Sequence, residues 1–226
     1  MVAMLDEIFR RRIFSAWRPA ATQPTRIVVV NDCSTDESAA VLEQAEKTYG
    51  ALLLVLHNRK NLGKQGSVLR ALRALRGERV DGVALIDGDL QHEPSELPAL
   101  AELLADHDMI VGARSKREMP WQRRLSNWCV NRAFAALSGI DFVDVQSGLR
   151  VYRKWLADAI SLALPERGGF GVEHESLRIA AEISRRAPEG VRAAAAPISC
   201  RYADEVSHIG PLDIGQEEPR TRGKAL

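Results

Sequence analysis

Cysteine is scarce in this 226-residue chain, and its few occurrences exclude two kinds of small protein. The three cysteines, Cys33, Cys129 and Cys200, are odd in number, far apart and never arranged as C-x-x-C. Cysteines with this spacing predict neither a disulfide framework nor a zinc site. Free thiols are typical of proteins in a reducing compartment, so we expect a cytoplasmic protein.

Long apolar runs and an excess of one charge are also missing. No stretch approaches the roughly 20 apolar residues of a membrane-spanning helix. The start of the chain, Met1–Glu7, is acidic where a signal peptide is basic. We therefore expect any membrane contact to be peripheral, at the inner face. The net charge of +1 lacks the basic excess of nucleic-acid-binding proteins, which excludes nucleic acid as an expected partner.

What the chain does contain is an alternation of strand-like and helix-like segments. Hydrophobic residues make up 46% of the sequence, which is enough for a substantial core. Short apolar runs predict buried strands at Arg26–Val30, Ala51–Leu56, Gly82–Ile86 and Met109–Val111. Helical periodicity lies between them, and this order predicts an α/β fold with a mainly parallel sheet covered by helices on both faces.

The pattern becomes less regular after Arg114, where helices are predicted from about Trp121 to Leu137 and from Glu173 to Arg186. Three regions follow from this description. Residues 1–25 are expected to form a helix and a linker, residues 26–209 the main domain, and residues 210–226 a disordered tail rich in Pro, Gly and charge.

An acidic motif follows the third predicted strand directly. Asp87 and Asp89 stand one residue apart at its end, and two carboxylates there are costly unless a cation neutralises them. Oxygen ligands of this kind suit Mg²⁺ or Mn²⁺, which usually hold phosphates as well. The alternative is an Asp-rich turn whose side chains cap the next helix and face water. Asp32 also ends a strand, so one site at the carboxyl edge of the sheet would collect all three carboxylates.

Six short motifs occur in a fixed order between residues 26 and 210. They are Asn31–Asp36, Asn61–Lys64, Asp87–Gln91, Gly112–Arg114, Asp144–Arg150, and Tyr202 followed by Ser207 and His208. Together they resemble the family 2 glycosyltransferases, most closely the dolichyl-phosphate mannosyltransferase-like branch that glycosylates polyprenyl phosphates. The resemblance implies the nucleotide-diphospho-sugar transferase fold, also called GT-A, and a UDP- or GDP-linked sugar as the donor.

The resemblance also assigns roles around the donor. Asp87, Asp89 and Gln91 would surround a divalent ion, Mg²⁺ or Mn²⁺, that neutralises charge on the departing nucleoside diphosphate. Asp32 would contact the nucleoside, or else form only a turn after its strand. Arg114 would bind the diphosphate through its planar guanidinium, and with Asp87 and Asp89 it forms the implied catalytic set.

Further basic residues would complete the donor and acceptor sites. Lys64 could also reach a phosphate of the donor, although the glycine-rich loop around it lacks the spacing of a P-loop. The resemblance places Arg201 and His208 in a segment that closes over the donor. Its candidates for binding the acceptor phosphate are Arg124, Ser147 and Arg150, with a solvated helix face as the alternative for Arg124. Glu173 and Glu175 would orient the site or would simply begin a helix.

The acceptor decides the mechanism that the resemblance implies. A lipid phosphate is already an anion at neutral pH, needs no general base, and would attack the anomeric carbon in line with inversion. A sugar hydroxyl would instead need a carboxylate base nearby. The Q-x-x-R-W signature that resembles processive polysaccharide synthases is missing, which favours the phosphate.

One departure from the family concerns the first strand. Family members begin with a strand ending in a Pro-x-Tyr-Asn-Glu-like turn, and Met1–Arg12 resembles instead the helix that follows it. We therefore expect a fold that is incomplete at its N-terminal end. Two other functions stay open: a non-catalytic homologue that binds no nucleotide, and a sugar nucleotidyltransferase. The latter is disfavoured because no glycine-rich basic loop lies near the start.

Overall fold

The computed structural model describes residues 26–114, 121–138, 144–166 and 171–200. Strands and helices alternate along these segments, as the sequence predicts. The strands are β1 (Ile27–Asn31), β2 (Leu53–His57), β3 (Gly82–Leu85), β4 (Met109–Arg114), β5 (Arg150–Arg153) and β6 (Ala193–Ile198). The helices are α1 (Ser38–Tyr49), α2 (Gly63–Ala74), α3 (Leu97–Glu102), α4 (Trp121–Ser138), α5 (Lys154–Ala163) and α6 (Val172–Arg186).

The first two strands form a parallel pair. Val29 of β1 lies opposite Val55 of β2, and both are buried because the β-branched runs of the two strands face helices. Helix α1 connects the strands and packs Leu42, which is fully buried, against them. A helix that joins two parallel strands in this way is the βαβ unit that the alternating sequence pattern predicts.

The other four strands form a second sheet in the order β3–β5–β4–β6. Strands β4 and β6 are parallel, whereas β5 runs antiparallel to both β3 and β4. The α/β class is therefore confirmed, and the sheet contains one antiparallel strand that the sequence pattern did not predict. Because β5 lies between β3 and β4, it brings Arg150 at its start close to the end of β3.

The core lies on both faces of this sheet. Met109, Ile110 and Val111 of β4 are fully buried, and successive residues point to opposite faces. One face packs against α2, α5 and α6, and the other packs against α3. Each buried leucine of these helices contributes about 1.5–3 kcal/mol relative to exposure. Helices on both faces confirm the layered arrangement that the sequence predicts.

A gap separates the two sheets. Among the described residues, β1 pairs only with β2, and β3 pairs only with β5, so each strand has one edge without a strand partner. A cavity of about 700 Å³ lies between these edges. Its walls come from Val28 and Val30 of β1, Val83 of β3, and apolar residues of α2 and α3. One end of the cavity reaches Asp87.

The predicted regions at the two ends of the chain and the predicted lack of a membrane span remain to be compared with the structure. The N-terminal helix and linker (residues 1–25) and the tail (residues 210–226) lie outside the described residues and stay predictions. Within the described segments, no helix combines the length and the apolar character that crossing a bilayer requires.

Candidate active site

The acidic motif forms a tight turn beyond the end of β3. Asp87 follows the strand by two residues, and Asp89 accepts a hydrogen bond from the backbone N–H of Gln91 through its Oδ1 atom, at 3.0 Å. Leu90 between them has a φ of 65°, in the left-handed region that non-glycine residues seldom adopt. The turn exposes Asp89 and leaves Asp87 and Gln91 half-buried. Both carboxylates therefore lie at the carboxyl end of a strand, as predicted.

Lys64 binds two carboxylates that are far apart in sequence. Its Nζ atom lies 2.7 Å from Oδ2 of Asp87 and 2.5 Å from Oε1 of Glu173. Burial alone would lower the pKa of Lys64, but the two carboxylates outweigh it and raise that pKa above its usual range. The ammonium group is thus fully charged at neutral pH, and it joins the first turns of α2 and α6 to the end of β3.

Gly148 allows the backbone to approach this cluster closely. A Cβ atom at this position would lie 2.2 Å from Oδ2 of Asp87 and 3.2 Å from Nζ of Lys64. A side chain at residue 148 would therefore force the Asp87 carboxylate, and with it the contact to Lys64, to shift. The motif around residue 148 thereby borders both Asp87 and Lys64.

Asp32 lies just beyond β1 and organises the loop before α2. Its Oδ1 atom accepts hydrogen bonds from Nδ2 of Asn58 at 2.6 Å and from the backbone N–H of Leu62 at 2.8 Å. Burial opposes its charge, but these bonds dominate and lower the pKa of Asp32. Asp32 is therefore a half-buried carboxylate at neutral pH that fixes the loop leading to Lys64.

Arg114 at the end of β4 forms a two-pronged ion pair with Asp144. The Nε–Oδ2 distance is 2.7 Å and the Nη2–Oδ1 distance is 2.9 Å. Asp144 is 2% exposed and also receives a bond from Nδ2 of Asn127 on α4, at 3.4 Å. A buried carboxylate thus fixes the plane of the predicted diphosphate-binding guanidinium.

Two of the three predicted acceptor residues are buried. Arg150 is 1% exposed, and its guanidinium donates to the carbonyls of Val145, Ser147 and Glu173. Ser147 is 0% exposed, and its Oγ atom has no hydrogen-bond partner among the described residues. In this structure both side chains lie at the loop before β5 and Arg150 holds it through backbone carbonyls. Their contact with an acceptor phosphate stays a prediction.

The other predicted basic residues are distributed differently. Arg124 lies on α4 with an exposed side chain, so it is accessible to a ligand. Arg201 and His208 lie outside the described residues. His92 follows the acidic turn, is 4% exposed, and has no hydrogen-bond partner for Nδ1 in the described part of the chain. Burial lowers the pKa of His92, which keeps its ring neutral at pH 7.

The acidic turn fits a divalent ion by its chemistry. Two carboxylates and one amide, on Asp87, Asp89 and Gln91, are hard oxygen donors of the type that Mg²⁺ and Mn²⁺ prefer. The Lys64 ammonium already occupies a cation position on Asp87. In the described segments, no three His, Cys, Asp or Glu side chains form a metal-binding group.

The fold and this site define a glycosyltransferase-type α/β protein with its charged groups at the carboxyl edge of the sheet. A family model described as glycosyl transferase family 2 matches residues 9–158. The chain belongs to this family, and the resemblance seen in the six motifs is confirmed.

Curated relatives cover much of the chain but are longer than it. An undecaprenyl-phosphate 4-deoxy-4-formamido-L-arabinose transferase from Sodalis glossinidius is 30% identical over 167 residues, which are 74% of this chain and 49% of the relative. A protein of the same name from Pseudomonas savastanoi is 34% identical over 146 residues, 64% of this chain and 42% of the relative. The chain thus spans about half the length of these relatives.

Solved structures share the fold at low sequence identity. A mannosyltransferase from Pyrobaculum calidifontis, in complex with GDP-Man and Mn²⁺, has a TM-score of 0.55 at 21% identity and covers 87% of this chain and 50% of its own. Glucosyl-3-phosphoglycerate synthase from Mycobacterium tuberculosis, with Mn²⁺, UDP-Glc and phosphoglyceric acid, has a TM-score of 0.52 at 20% identity, with 78% and 60% covered. The predicted GT-A fold is confirmed.

Proposed function

We propose that this chain carries the catalytic domain of a glycosyltransferase that moves a sugar from a UDP- or GDP-linked donor to the phosphate of a polyprenyl phosphate, with inversion. The curated relatives are named as undecaprenyl-phosphate sugar transferases, which supports the acceptor. The two structural neighbours bind GDP-Man and UDP-Glc, which supports a nucleotide-linked donor. Because the acceptor is a lipid, peripheral binding at the inner face of a membrane is part of the proposal.

The observation that carries the proposal is the meeting of Asp87, Lys64 and Glu173 at the carboxyl end of β3. Ligands of open α/β sheets bind at this edge. A metal-bound diphosphate needs two kinds of group. The Asp87 carboxylate would bind the metal ion, and the Lys64 ammonium would bind the diphosphate oxygens.

Asp87, Asp89 and Gln91 would hold Mg²⁺ or Mn²⁺. When bound, the ion supplies neutralisation of the charge that develops on the departing nucleoside diphosphate, a contribution of several kcal/mol in such sites. The partial burial of Asp87 strengthens this interaction relative to one in bulk water.

The remaining donor contacts come from residues at neighbouring strand ends. Arg114, oriented by Asp144, would bind diphosphate oxygens through its planar guanidinium. Lys64 would bind the same diphosphate, and Asp32 would contact the nucleoside from the end of β1. We retain Arg201 and His208 as proposed donor contacts from the segment after β6.

The acceptor phosphate is assigned to Arg124. Its exposed guanidinium lies on α4, the helix whose buried face contacts Asp144 through Asn127. Ser147 and Arg150 position the loop beside Asp87, and we retain them as proposed acceptor contacts together with Arg124. A phosphate monoester is already ionised at neutral pH, so positioning for in-line attack replaces proton removal by a general base.

Binding of UDP and GDP, measured by calorimetry with Mn²⁺ and with a chelator, tests the donor site. We expect one of the two nucleotides to bind only with Mn²⁺, and Asp89→Asn to weaken that binding at least tenfold. The matched control is Asp106→Asn, an exposed aspartate before β4, which should bind as the wild type does.

Transfer itself is tested with the sugar nucleotides of the base that binds and a short-chain polyprenyl phosphate. Formation of a glycosyl phosphate lipid supports the assignment. A folded protein that binds neither nucleotide, or that transfers only to sugar hydroxyls, would contradict it.

A further inference from the structure

The strongest unassigned feature of the site is the cluster formed by Lys64, Asp87 and Glu173. The three residues come from the start of α2, the end of β3 and the start of α6, and the ammonium lies within 2.7 Å of both carboxylates. A lysine with one carboxylate partner is common at protein surfaces. Two short contacts from separate elements instead hold the ammonium at one position beside Asp87.

The charges of the cluster are unequal. Two carboxylates share one ammonium, so the cluster retains one negative charge at neutral pH. Asp89, two residues from Asp87, adds another and is exposed. The field at Asp87 therefore attracts further positive charge even while Lys64 is in place.

The space around Asp87 makes Lys64 a competitor for any incoming cation. The backbone at Gly148 closes one side of Oδ2, since even a Cβ atom there would approach to 2.2 Å. The Lys64 ammonium occupies another side of the same oxygen atom. A divalent ion bound at about 2.0–2.1 Å from this oxygen would meet a positive charge directly beside it.

The Lys64 side chain also has room to move away from Asp87. Its side chain is 46% exposed, whereas that of Glu173 is 15% exposed and is fixed at the start of α6. A lysine side chain has a flexible stem of four carbons, so the Lys64 ammonium can move away from Asp87 while it stays paired with Glu173.

We propose that Lys64 is a built-in counter-ion: it holds the cation position on Asp87 in the ion-free protein, with Glu173 as its second anchor, and gives up Asp87 when a divalent ion and a diphosphate bind. The part of this inference that concerns the diphosphate rests on the proposed function, whereas the part that concerns the ion does not. Lys64 then couples the entry of the ion to the arrival of a phosphate partner for its own charge.

The counter-ion role predicts two opposite effects of one substitution. Lys64→Met keeps an unbranched side chain only one atom shorter but removes its charge, so Mn²⁺ alone should bind more tightly because its competitor is gone. A nucleoside diphosphate should bind more weakly, because its ammonium partner is gone. A lysine that only supported the fold would weaken both ligands, and one that only bound phosphate would leave Mn²⁺ unaffected.

Mn²⁺ binding in the absence of nucleotide, followed by electron paramagnetic resonance or calorimetry, tests the first effect. We expect Lys64→Met to bind Mn²⁺ about tenfold more tightly than the wild type. Lys60→Met, which removes an exposed lysine four residues earlier, is the control and should match the wild type. Asp87→Asn should abolish the tighter binding in the Lys64→Met background, which identifies the oxygen involved.

Nucleotide binding at saturating Mn²⁺ tests the second effect. We expect Lys64→Met to bind the preferred nucleoside diphosphate about tenfold more weakly, with Lys60→Met unchanged. Circular dichroism and thermal melting confirm that each variant is folded.

Equal or weaker Mn²⁺ binding by folded Lys64→Met would overturn the proposal. The Mn²⁺ measurement requires neither nucleotide nor sugar transfer, so this failure is distinct from a failure of the proposed function. Conversely, a protein that binds no nucleotide but shows the gain in Mn²⁺ affinity would retain the counter-ion role and lose the transferase assignment.

Discussion

Arg114 and Asp144 form a two-pronged ion pair that joins the end of β4 to the loop before β5. Two hydrogen bonds, at 2.7 and 2.9 Å, connect the guanidinium edge to the two carboxylate oxygens. The side chain of Asp144 is 2% exposed and that of Arg114 is 14% exposed, so solvent screens this pair far less than a surface pair.

Loss of the negative charge at residue 144 should therefore destabilise the protein. In Asp144→Asn, the partly buried guanidinium of Arg114 loses its counter-charge, and an amide N–H₂ group faces it instead. We expect the free energy of unfolding to fall by about 2–4 kcal/mol, measured by urea denaturation. The control Asp106→Asn should change it by less than about 0.5 kcal/mol. Equal unfolding midpoints for Asp144→Asn and wild type would show that the pair contributes no net stability.

Asp108, just before β4, makes stability depend on pH. Burial alone would raise its pKa, but hydrogen bonds from the backbone N–H and the guanidinium of Arg192 hold the pKa of Asp108 below its usual range. A lowered carboxyl pKa adds stability above the ordinary value of about 4. That stability is lost as the pH falls through the lower value in the folded protein.

Asp108→Asn should remove this acid-dependent component. We expect the variant to be less stable by about 1–3 kcal/mol at pH 7 and to show a smaller loss of stability between pH 5 and pH 3 than the wild type. Urea midpoints at a series of pH values measure both quantities. Parallel pH profiles for variant and wild type would rule out Asp108 as the responsible group.

The sequence predicts best those helices and strands in which the spacing of apolar residues shows which face is buried. Helix α4 was expected from about Trp121 to Leu137 and runs over Trp121–Ser138. Helix α6 was expected to begin at Glu173 and begins at Val172. The β-branched and apolar runs of β1 to β4 were equally clear, because each of these strands buries apolar side chains in the core.

The elements that the sequence conceals depend on partners elsewhere in the chain. Strand β6 is Ala193–Ile198, an alanine-rich segment whose local preference is helical. It is a strand because it pairs in parallel with β4 and buries Ala196 and Ile198. Strand β5 and helix α5 were missed for the same reason, since the antiparallel pairing of β5 has no local signature.

Helix capping shows the same limit on a smaller scale. The spacing of Ser34 and Glu37 is that of a capping box, but α1 begins only at Ser38 and has no such box. The backbone N–H of Ser38, the first residue of α1, is bound instead by Oδ1 of Asp36 at 3.0 Å. Ser34 donates its own N–H to Asn31 Oδ1, in a turn directly after β1.

The sequence predicted the carboxylates of the acidic turn but not the distant residues that contact the site. Asp87 and Asp89 were found from their place after a strand. Asp144 and Gly148 were missed as site residues because they act on side chains 30 and 61 positions away. Glu173 was expected to orient the site or to begin a helix, but its pairing with Lys64, 109 positions away, was not predicted. The compact motif around Ser147 and Gly148 was the available signal, and its glycine now has a steric explanation.

Cys33 is a second place where the backbone is strained. It follows β1 with a φ of 61°, and its side chain is exposed. A side chain in the left-handed region costs about 1–2 kcal/mol, whereas glycine adopts it freely at an entropic cost of about 0.5–1 kcal/mol. We expect Cys33→Gly to raise the free energy of unfolding by about 0.5–1 kcal/mol, measured by urea denaturation. Cys33→Ala removes the thiol but keeps the strain, so it should match the wild type; an equal gain in both variants would assign the effect to the thiol.

The cavity between the two sheets makes the last prediction. It measures about 700 Å³, and its walls include Val28, Val83, Ala71 and Leu72. Apolar walls next to strand edges without strand partners among the described residues form a surface that aromatic dyes bind. We expect the native protein to bind 1-anilinonaphthalene-8-sulfonate saturably. Ala71→Phe, which places a ring in the cavity, should lower the bound fluorescence several-fold.

The control for this experiment lies on the same helix. Ala74 is exposed at the end of α2 and does not line the cavity, so Ala74→Phe should leave dye binding unchanged. Both substitutions add the same apolar side chain, and only the first one removes volume between β1 and β3. If the two variants bind the dye equally, the dye reports other apolar surface, and the gap between the sheets is closed in solution.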